Sequence, residues 1–191
     1  MGREFELKFR ADAAILSAIA EKYGSFVPIS METTYYDTPD RVLRSRHWTL
    51  RRRFENGVSV CTVKTPAAVG GRGEWETECP EIMQAVPDLI ALGAPLELVA
   101  FTSQGVEPVC GARFTRLAAL VEAEGCTVEL ALDRGVLMGG GKELPFAEVE
   151  VELKAGTEAA TVLFAKALAA EYGLTPETKS KVQRALALTN P

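Results

Sequence analysis

The chain has 191 residues, with 21 Lys and Arg against 26 Asp and Glu and a formal net charge of −5 at pH 7. That length suits one domain, and a hydrophobic share of 47% supplies a proper core and excludes a disordered chain. The acidic balance excludes a general nucleic-acid-binding surface, which is usually basic, and no apolar run approaches the roughly 20 residues of a membrane-spanning helix.

The first predicted strand covers residues 3–10, where Glu4, Glu6 and Lys8 alternate with Phe5, Leu7 and Phe9. A strand puts the two sets on opposite faces. The chain enters this charged strand at once, so no signal peptide is expected and a cytoplasmic location is the simple reading. Asp12 caps a helix over 13–23, with Gly24 just past its end. Residues 33–36 form a short strand, and Asp37-Thr38-Pro39-Asp40 a turn. A hairpin follows, with a strand at 48–55, the turn Asn56-Gly57 and a returning strand at 58–64. A Gly-rich loop over 66–73 leads to a strand at 73–79, and 80–92 holds a helix. Two further strands, 106–121 and 127–134, meet near Glu124-Gly125. Gly139-Gly140-Gly141 makes a hairpin loop; with Lys142 it lacks the spacing and the following Ser or Thr of a P-loop. The last strand covers 145–154. Thr157 then caps a helix to Tyr172 with Gly173 as its C′ residue, and a second helix follows Pro176. No linker, repeat or low-complexity tract divides the chain, so 1–191 reads as a single α+β domain.

Cys61, Cys79, Cys110 and Cys126 contain no C-x-x-C pair, which argues against a zinc knuckle or a redox motif. His47 is the only histidine, which argues against a His-based triad and a multi-His metal site.

The strands share one habit. Their polar faces are almost wholly charged: Glu4, Glu6 and Lys8; Arg51 and Arg53; Lys64; Arg72, Glu74, Glu76 and Glu78; Arg116; Glu129 and Asp133; Glu148, Glu150 and Glu152. Their opposite faces carry Leu50, Val63, Trp75, Val128, Leu130, Val149 and Val151. An antiparallel sheet with one wet face accounts for any single strand of this kind. The signs also segregate, with bases from Arg51 to Lys64 and acids from Glu148 to Glu152, whereas a solvated face intersperses them. The alternative is a closed eight-stranded antiparallel β-barrel, with charges inward and apolar residues outward under flanking helices. Its lumen would present a basic wall suited to phosphate and an acidic wall suited to Mg²⁺ or Mn²⁺.

The motifs in this order resemble those of the CYTH domain, the triphosphate tunnel metalloenzyme family. Glu4-x-Glu6-x-Lys8 is similar to its E-x-E-x-K, Leu50-Arg51-Arg52-Arg53 to its L-R-x-R, and Thr62-Val63-Lys64 to its T-x-K. Tyr36-Asp37-Thr38-Pro39, Arg72-x-Glu74-x-Glu76, Leu132-Asp133-Arg134-Gly135, Glu148-x-Glu150-x-Glu152 and Ser180-Lys181-x-x-Arg184 fall in the family's order. Arg113 and Arg52 have the parity of outward-facing residues. The likeness is nearest to the bacterial inorganic triphosphatase branch, whose domain often precedes a CHAD domain. No CHAD domain is present here, which leaves a stand-alone protein or part of a longer parent.

The resemblance implies a tunnel that cleaves a triphosphate with a divalent cation. Lys8, Arg51, Arg53, Lys64, Arg72, Arg116 and Lys181 would hold phosphates. Glu4, Glu6, Glu148, Glu150 and Glu152 would hold the metal, and Glu4, Glu6, Lys8, Arg51, Arg53 and Lys64 would form the catalytic set. The expected partner is a small-molecule triphosphate, with no nucleic acid or membrane, and the protein a monomer or homodimer. A class IV-type adenylate cyclase, a thiamine triphosphatase and a non-catalytic polyphosphate- or nucleotide-binding module share these motifs as alternatives.

Overall fold

The computed structural model describes residues 5–66 and 72–189; the side chain of Arg72 is outside that description. Nine strands form one antiparallel sheet: β1 (Glu6–Arg10), β2 (Val27–Asp37), β3 (Thr49–Glu55), β4 (Val58–Pro66), β5 (Arg72–Glu78), β6 (Glu107–Ala123), β7 (Cys126–Gly139), β8 (Lys142–Gly156) and β9 (Thr175–Pro176). Among the described residues six helices accompany it: α1 (Ala13–Tyr23), α2 (Val42–Ser45), α3 (Ile82–Ala91), α4 (Glu97–Thr102), α5 (Glu158–Tyr172) and α6 (Lys181–Ala187). The strand order is β5-β4-β3-β2-β6-β7-β8-β1-β9. Two meanders, β3-β4-β5 and β6-β7-β8, are therefore joined through β2, and β1 lies on the far side of β8.

The period-two pattern sorts the two faces as the sequence implies. On one face Leu50, Cys61, Val63 and Trp75 are buried with Leu89 and Leu98 of α3 and α4. On the same face Phe9, Val128, Leu130, Leu132, Val149 and Val151 are buried with Ile19 of α1 and Leu168 of α5. Each fully buried Leu or Val contributes about 1.5–3 kcal/mol relative to exposure, so these two clusters supply most of the driving force. The helix ends are set locally. The Asp12 side chain accepts from the N–H of Ile15 at 2.9 Å, the Thr157 hydroxyl accepts from the N–H of Ala160 at 3.2 Å, and Gly173 ends α5 in the left-handed region.

The opposite face curls around a cavity and is charged except along β2 and at one end. There Met31, Ala112, Phe114, Leu137 and Phe146 form an apolar seat for Ala185 of α6. Gly139 permits the close approach: a Cβ at this position would lie 2.3 Å from the carbonyl oxygen of Ala185.

Several expectations are corrected. The sheet has nine strands, not eight, and no ladder joins its two edges among the described residues, so it is not a closed barrel. Its β9 edge is only two residues long and ends at Pro176, which has no N–H to extend a ladder. The strand expected at 33–36 is the eleven-residue β2, hidden because it carries Ile29, Met31 and Tyr35 on the cavity side, where the other strands carry charge. Helices α2 and α4 and strand β9 are too short for periodicity to reveal.

Gly139→Ala should lower the unfolding free energy by about 2–3 kcal/mol through displacement of α6. Urea denaturation reads this directly, and parent-like stability would show that α6 is not seated as described.

Candidate metal and anion site

Strand register builds the acidic wall as three transverse rows. Glu152 of β8 lies between Glu6 of β1 and Glu129 of β7. Glu150 lies between Lys8 and Ala131. Glu148 lies between Arg10 and Asp133, and Asp133 in turn faces Arg116 of β6. Like charges in register repel, so each row needs cations within reach.

The innermost cations come from α6. Ser180 and Gln183 form a capping box that starts the helix, and the next residues put Lys181 and Arg184 one turn apart on one side. The Lys181 ammonium lies 2.7 Å from Asp133 Oδ2 and 2.8 Å from Glu150 Oε1, and it also bonds Glu148. Arg184 donates to the other oxygen of Glu148. Arg116 places two nitrogens 2.8 Å from the two oxygens of Asp133 and also donates to Glu150. The rings of Phe114 and Phe146 lie 5.1 and 5.6 Å from the Lys181 ammonium.

These contacts set the protonation states. Burial favours a neutral Glu150, but Lys181 and Arg116 outweigh it and hold the carboxyl well below its ordinary range. Glu148 is fully buried, and there burial wins over Lys181, so its carboxyl is raised. Lys181 is raised despite burial, because Glu150, Asp133 and Glu148 surround it.

The basic wall stands on β3 and β4. Arg51 Nη2 lies 3.7 Å and Lys64 Nζ 3.1 Å from Glu74 of β5, and Arg53 pairs with Glu55. Burial, then the neighbouring charge of Arg51, lowers Arg53. Arg51 Nε and the hydroxyl of Thr62, which face each other in register, are buried with no hydrogen-bond partner. Between the two walls is a cavity of about 710 Å³. Its floor on β2 is Ile29, Met31, Thr33 and Tyr35.

Of the residues singled out in the sequence, Glu6, Lys8, Arg51, Arg53, Lys64, Arg116, Glu150, Glu152 and Lys181 line this one cavity. Glu148 lies behind Glu150 and completes the cluster. Glu4 is outside the described residues; Arg72 is in register with Pro66. Arg113 and Arg52 point away from the cavity, toward Glu143 and Glu81. The expected metal set omitted Asp133. Among the described residues, Asp133, Glu148 and Glu150 are the carboxylates whose oxygens lie within 4.8 Å of one another. Strand parity already put it on the charged face with Glu129; its closeness to Glu148 comes from the β7-β8 register. Glu74, Glu55 and Arg184 were likewise omitted from the site.

A comparison with family models matches the CYTH domain over residues 2–186. The chain belongs to the CYTH domain family. A relative named inorganic triphosphatase, from Haemophilus influenzae, is 28% identical over 96% of this chain. The CYTH chain spans 54% of that relative's length. A Hippeastrum protein with a dominant triphosphatase activity superposes with a TM-score of 0.68 at 17% identity, covering 100% of this chain and 98% of its own. A Pyrococcus horikoshii protein gives 0.65 at 24% identity, covering 97% and 99%. A candidate adenylate cyclase from Bacillus halodurans gives 0.65 at 18% identity, covering 96% and 98%. At these identities the structural likeness establishes the fold. No helix among the described residues is long and apolar enough to cross a membrane.

Beside the CYTH site, Glu177 is buried against Arg10, whose Nε lies 2.7 Å from its Oε2. Burial opposes ionisation of Glu177, but Arg10 and the N–H of Lys179 outweigh it and lower its carboxyl below the ordinary 4.5. A lowered folded-state value means stability that is fully present above the unfolded value and is lost as pH falls through the folded one. Between about pH 5 and pH 3, unfolding free energy should therefore fall more steeply for the parent than for Glu177→Gln. Denaturant titrations at each pH measure both slopes; equal slopes contradict the assignment.

Proposed function

We propose that this chain is a metal-dependent inorganic triphosphatase that hydrolyses tripolyphosphate to pyrophosphate and phosphate in the two-walled cavity. The observation that carries the reading is the juxtaposition of Arg51, Arg53, Lys64 and Lys8 with the carboxylates of Glu6, Glu150 and Glu152 around one cavity. A basic pocket alone would bind phosphate. The opposed acidic wall would repel a polyanion unless a cation intervenes, so the acids are a cost for a plain anion binder.

The donor set fits a hard cation. All its ligands are carboxylate oxygens, the preference of Mg²⁺ and Mn²⁺, and the oxygens of Asp133, Glu148 and Glu150 already converge. Glu6, Glu148, Glu150 and Glu152 would hold the ion with Asp133, and Glu4 joins them by its motif. Such an ion supplies charge neutralisation on phosphoryl oxygens and a water of lowered pKa. Lys8, Arg51, Arg53 and Lys64 would bind the non-bridging oxygens, and Arg116, Lys181 and Arg72 would extend that set. Guanidinium forks hold the chain in line while charge builds on the departing pyrophosphate. Water attacks the terminal phosphorus, the P–O bond to the bridging oxygen breaks, and pyrophosphate leaves with that electron pair. The aliphatic parts of Ile29 and Met31 limit the water on the floor of the cavity.

Phosphate release from tripolyphosphate should require Mg²⁺ or Mn²⁺ and stop in EDTA; no turnover with either ion overturns the reading. ATP and thiamine triphosphate run in parallel identify a different leaving group. Glu150→Gln should lower turnover by at least about 10²-fold, and Arg51→Ala should weaken tripolyphosphate binding by about tenfold or more. Parent-like behaviour of either variant would remove that residue from the site.

A further inference from the structure

Glu177 has no place in the family motifs and does not line the cavity, yet its side chain is only 2% exposed. Its backbone N–H donates to the carbonyl of Lys8 at 2.8 Å, which locks it beside β1. Oε1 accepts from the N–H of Lys179 at 2.9 Å. Oε2 accepts from Arg10 and also lies 3.8 Å from Arg184 Nη1. Arg184 is thus shared between two carboxylates, Glu177 and Glu148, through its two terminal nitrogens. Its Nε is buried without a partner, and the Phe146 ring lies 5.4 Å from its guanidinium carbon. Among the described residues, Glu148, Glu177 and that ring are the groups seen to fix its orientation.

We propose that Glu177 is a positioning residue of the cation site, holding part of the charge of Arg184 and so leaving Glu148 able to serve a divalent cation. The proposal rests on the metal dependence argued above, not on the identity of the substrate. Both oxygens of Glu148 are engaged by cations, Lys181 on one and Arg184 on the other. A metal ion must compete with both. Neutralising Glu177 would turn the full charge of Arg184 onto Glu148, deepening that competition and adding one positive charge beside the site. Partners of this kind behind metal ligands typically alter affinity by about 10–100-fold. A staple that merely ties β1 to the start of α6 needs only the Arg10 and Lys179 contacts; the contact with Arg184 is the one that leads on to a Glu148 oxygen.

The test is Mn²⁺ binding to the intact chain, read by the loss of the free-ion EPR signal without substrate. Glu177→Gln preserves the shape and the acceptor for Lys179, and it should weaken Mn²⁺ binding by about tenfold. Glu177→Asp retains the charge and should stay within about threefold of the parent. In an Arg184→Gln background, Glu177→Gln should cost less than about twofold, because the charge it restrains is gone. The same loss in both backgrounds, no loss in either, or no Mn²⁺ binding by the parent overturns the proposal. Thermal melts monitored by circular dichroism establish that each variant is folded. A parent that binds Mn²⁺ but releases no phosphate from tripolyphosphate rejects the activity alone, and the Mn²⁺ comparison still decides the role of Glu177.

Discussion

The arrangement turns on the ion cluster between α6 and the acidic rows. Asp133 and Glu148 are fully buried, and Lys181, Arg184 and Arg116 balance them and Glu150. Removing one partner from a buried cluster costs about 3–5 kcal/mol, because the remaining charge stays desolvated. The same cluster draws α6 onto the concave face, where Ala185 seats among Phe114, Leu137 and Phe146. Apolar packing alone would not select this helix position. Lys181 and Arg184 select it, since in any other position Glu148 would lose both of its bonded cations and Asp133 and Glu150 would be left to Arg116.

Topology explains why the two walls differ in sign. The β3-β4-β5 meander carries Arg51, Arg53 and Lys64, and the β6-β7-β8 meander with β1 carries Glu129, Asp133, Glu148, Glu150, Glu152 and Glu6. Strand β2 joins the two with no cavity-facing charge. This neutral strip separates the walls, so they do not annihilate one another as direct ion pairs. Arg116 is the exception. Lying next to β2, it reaches Asp133 and Glu150 and belongs electrostatically to the acidic side. Acids also stand among these bases: Glu74 lies between Arg51 and Lys64, Glu55 holds Arg53, and Glu76 lines the cavity on β5. They keep like charges from splaying apart, with the bases gathered on β3 and β4.

How much of this was legible follows from how local each signal is. Glu148, Glu150 and Glu152 could be assigned to one face because strand parity is rigid; a slip of one residue would expose Val149 and Val151. Arg51, Arg53 and Lys64 followed from the Asn56-Gly57 hairpin, which fixes their register. Sheet closure was not legible, because alternation says which way a side chain points and nothing about which strand ends the sheet. The seat of α6 was hidden for a similar reason: its contact with Gly139 joins segments more than forty residues apart in a sequence that reads there simply as a loop. Glu177 carried no local signal, since its meaning depends on Arg10 and Arg184 meeting it from opposite directions.

The cluster also bears on how a polyanion could be oriented. Lys181 and Arg116 were expected among the phosphate ligands, and both line the cavity. Yet Lys181 touches three carboxylates and Arg116 touches Asp133 and Glu150. Their charge is already committed to the acidic cluster, whereas Arg51 and Lys64 stand on the other wall beside Glu74. A polyanion entering the cavity would therefore meet on β3 and β4 the bases that are not bonded to Asp133, Glu148 or Glu150. Lys181 and Arg116 gain strength as phosphate ligands only when another cation takes over Asp133, Glu148 and Glu150. If this chain binds both, anion and metal binding would favour one another in this geometry: a divalent ion on the acidic wall would release two basic side chains toward the phosphates, and phosphates on those side chains would lower the competition for the carboxylates. Linkage makes the effect reciprocal.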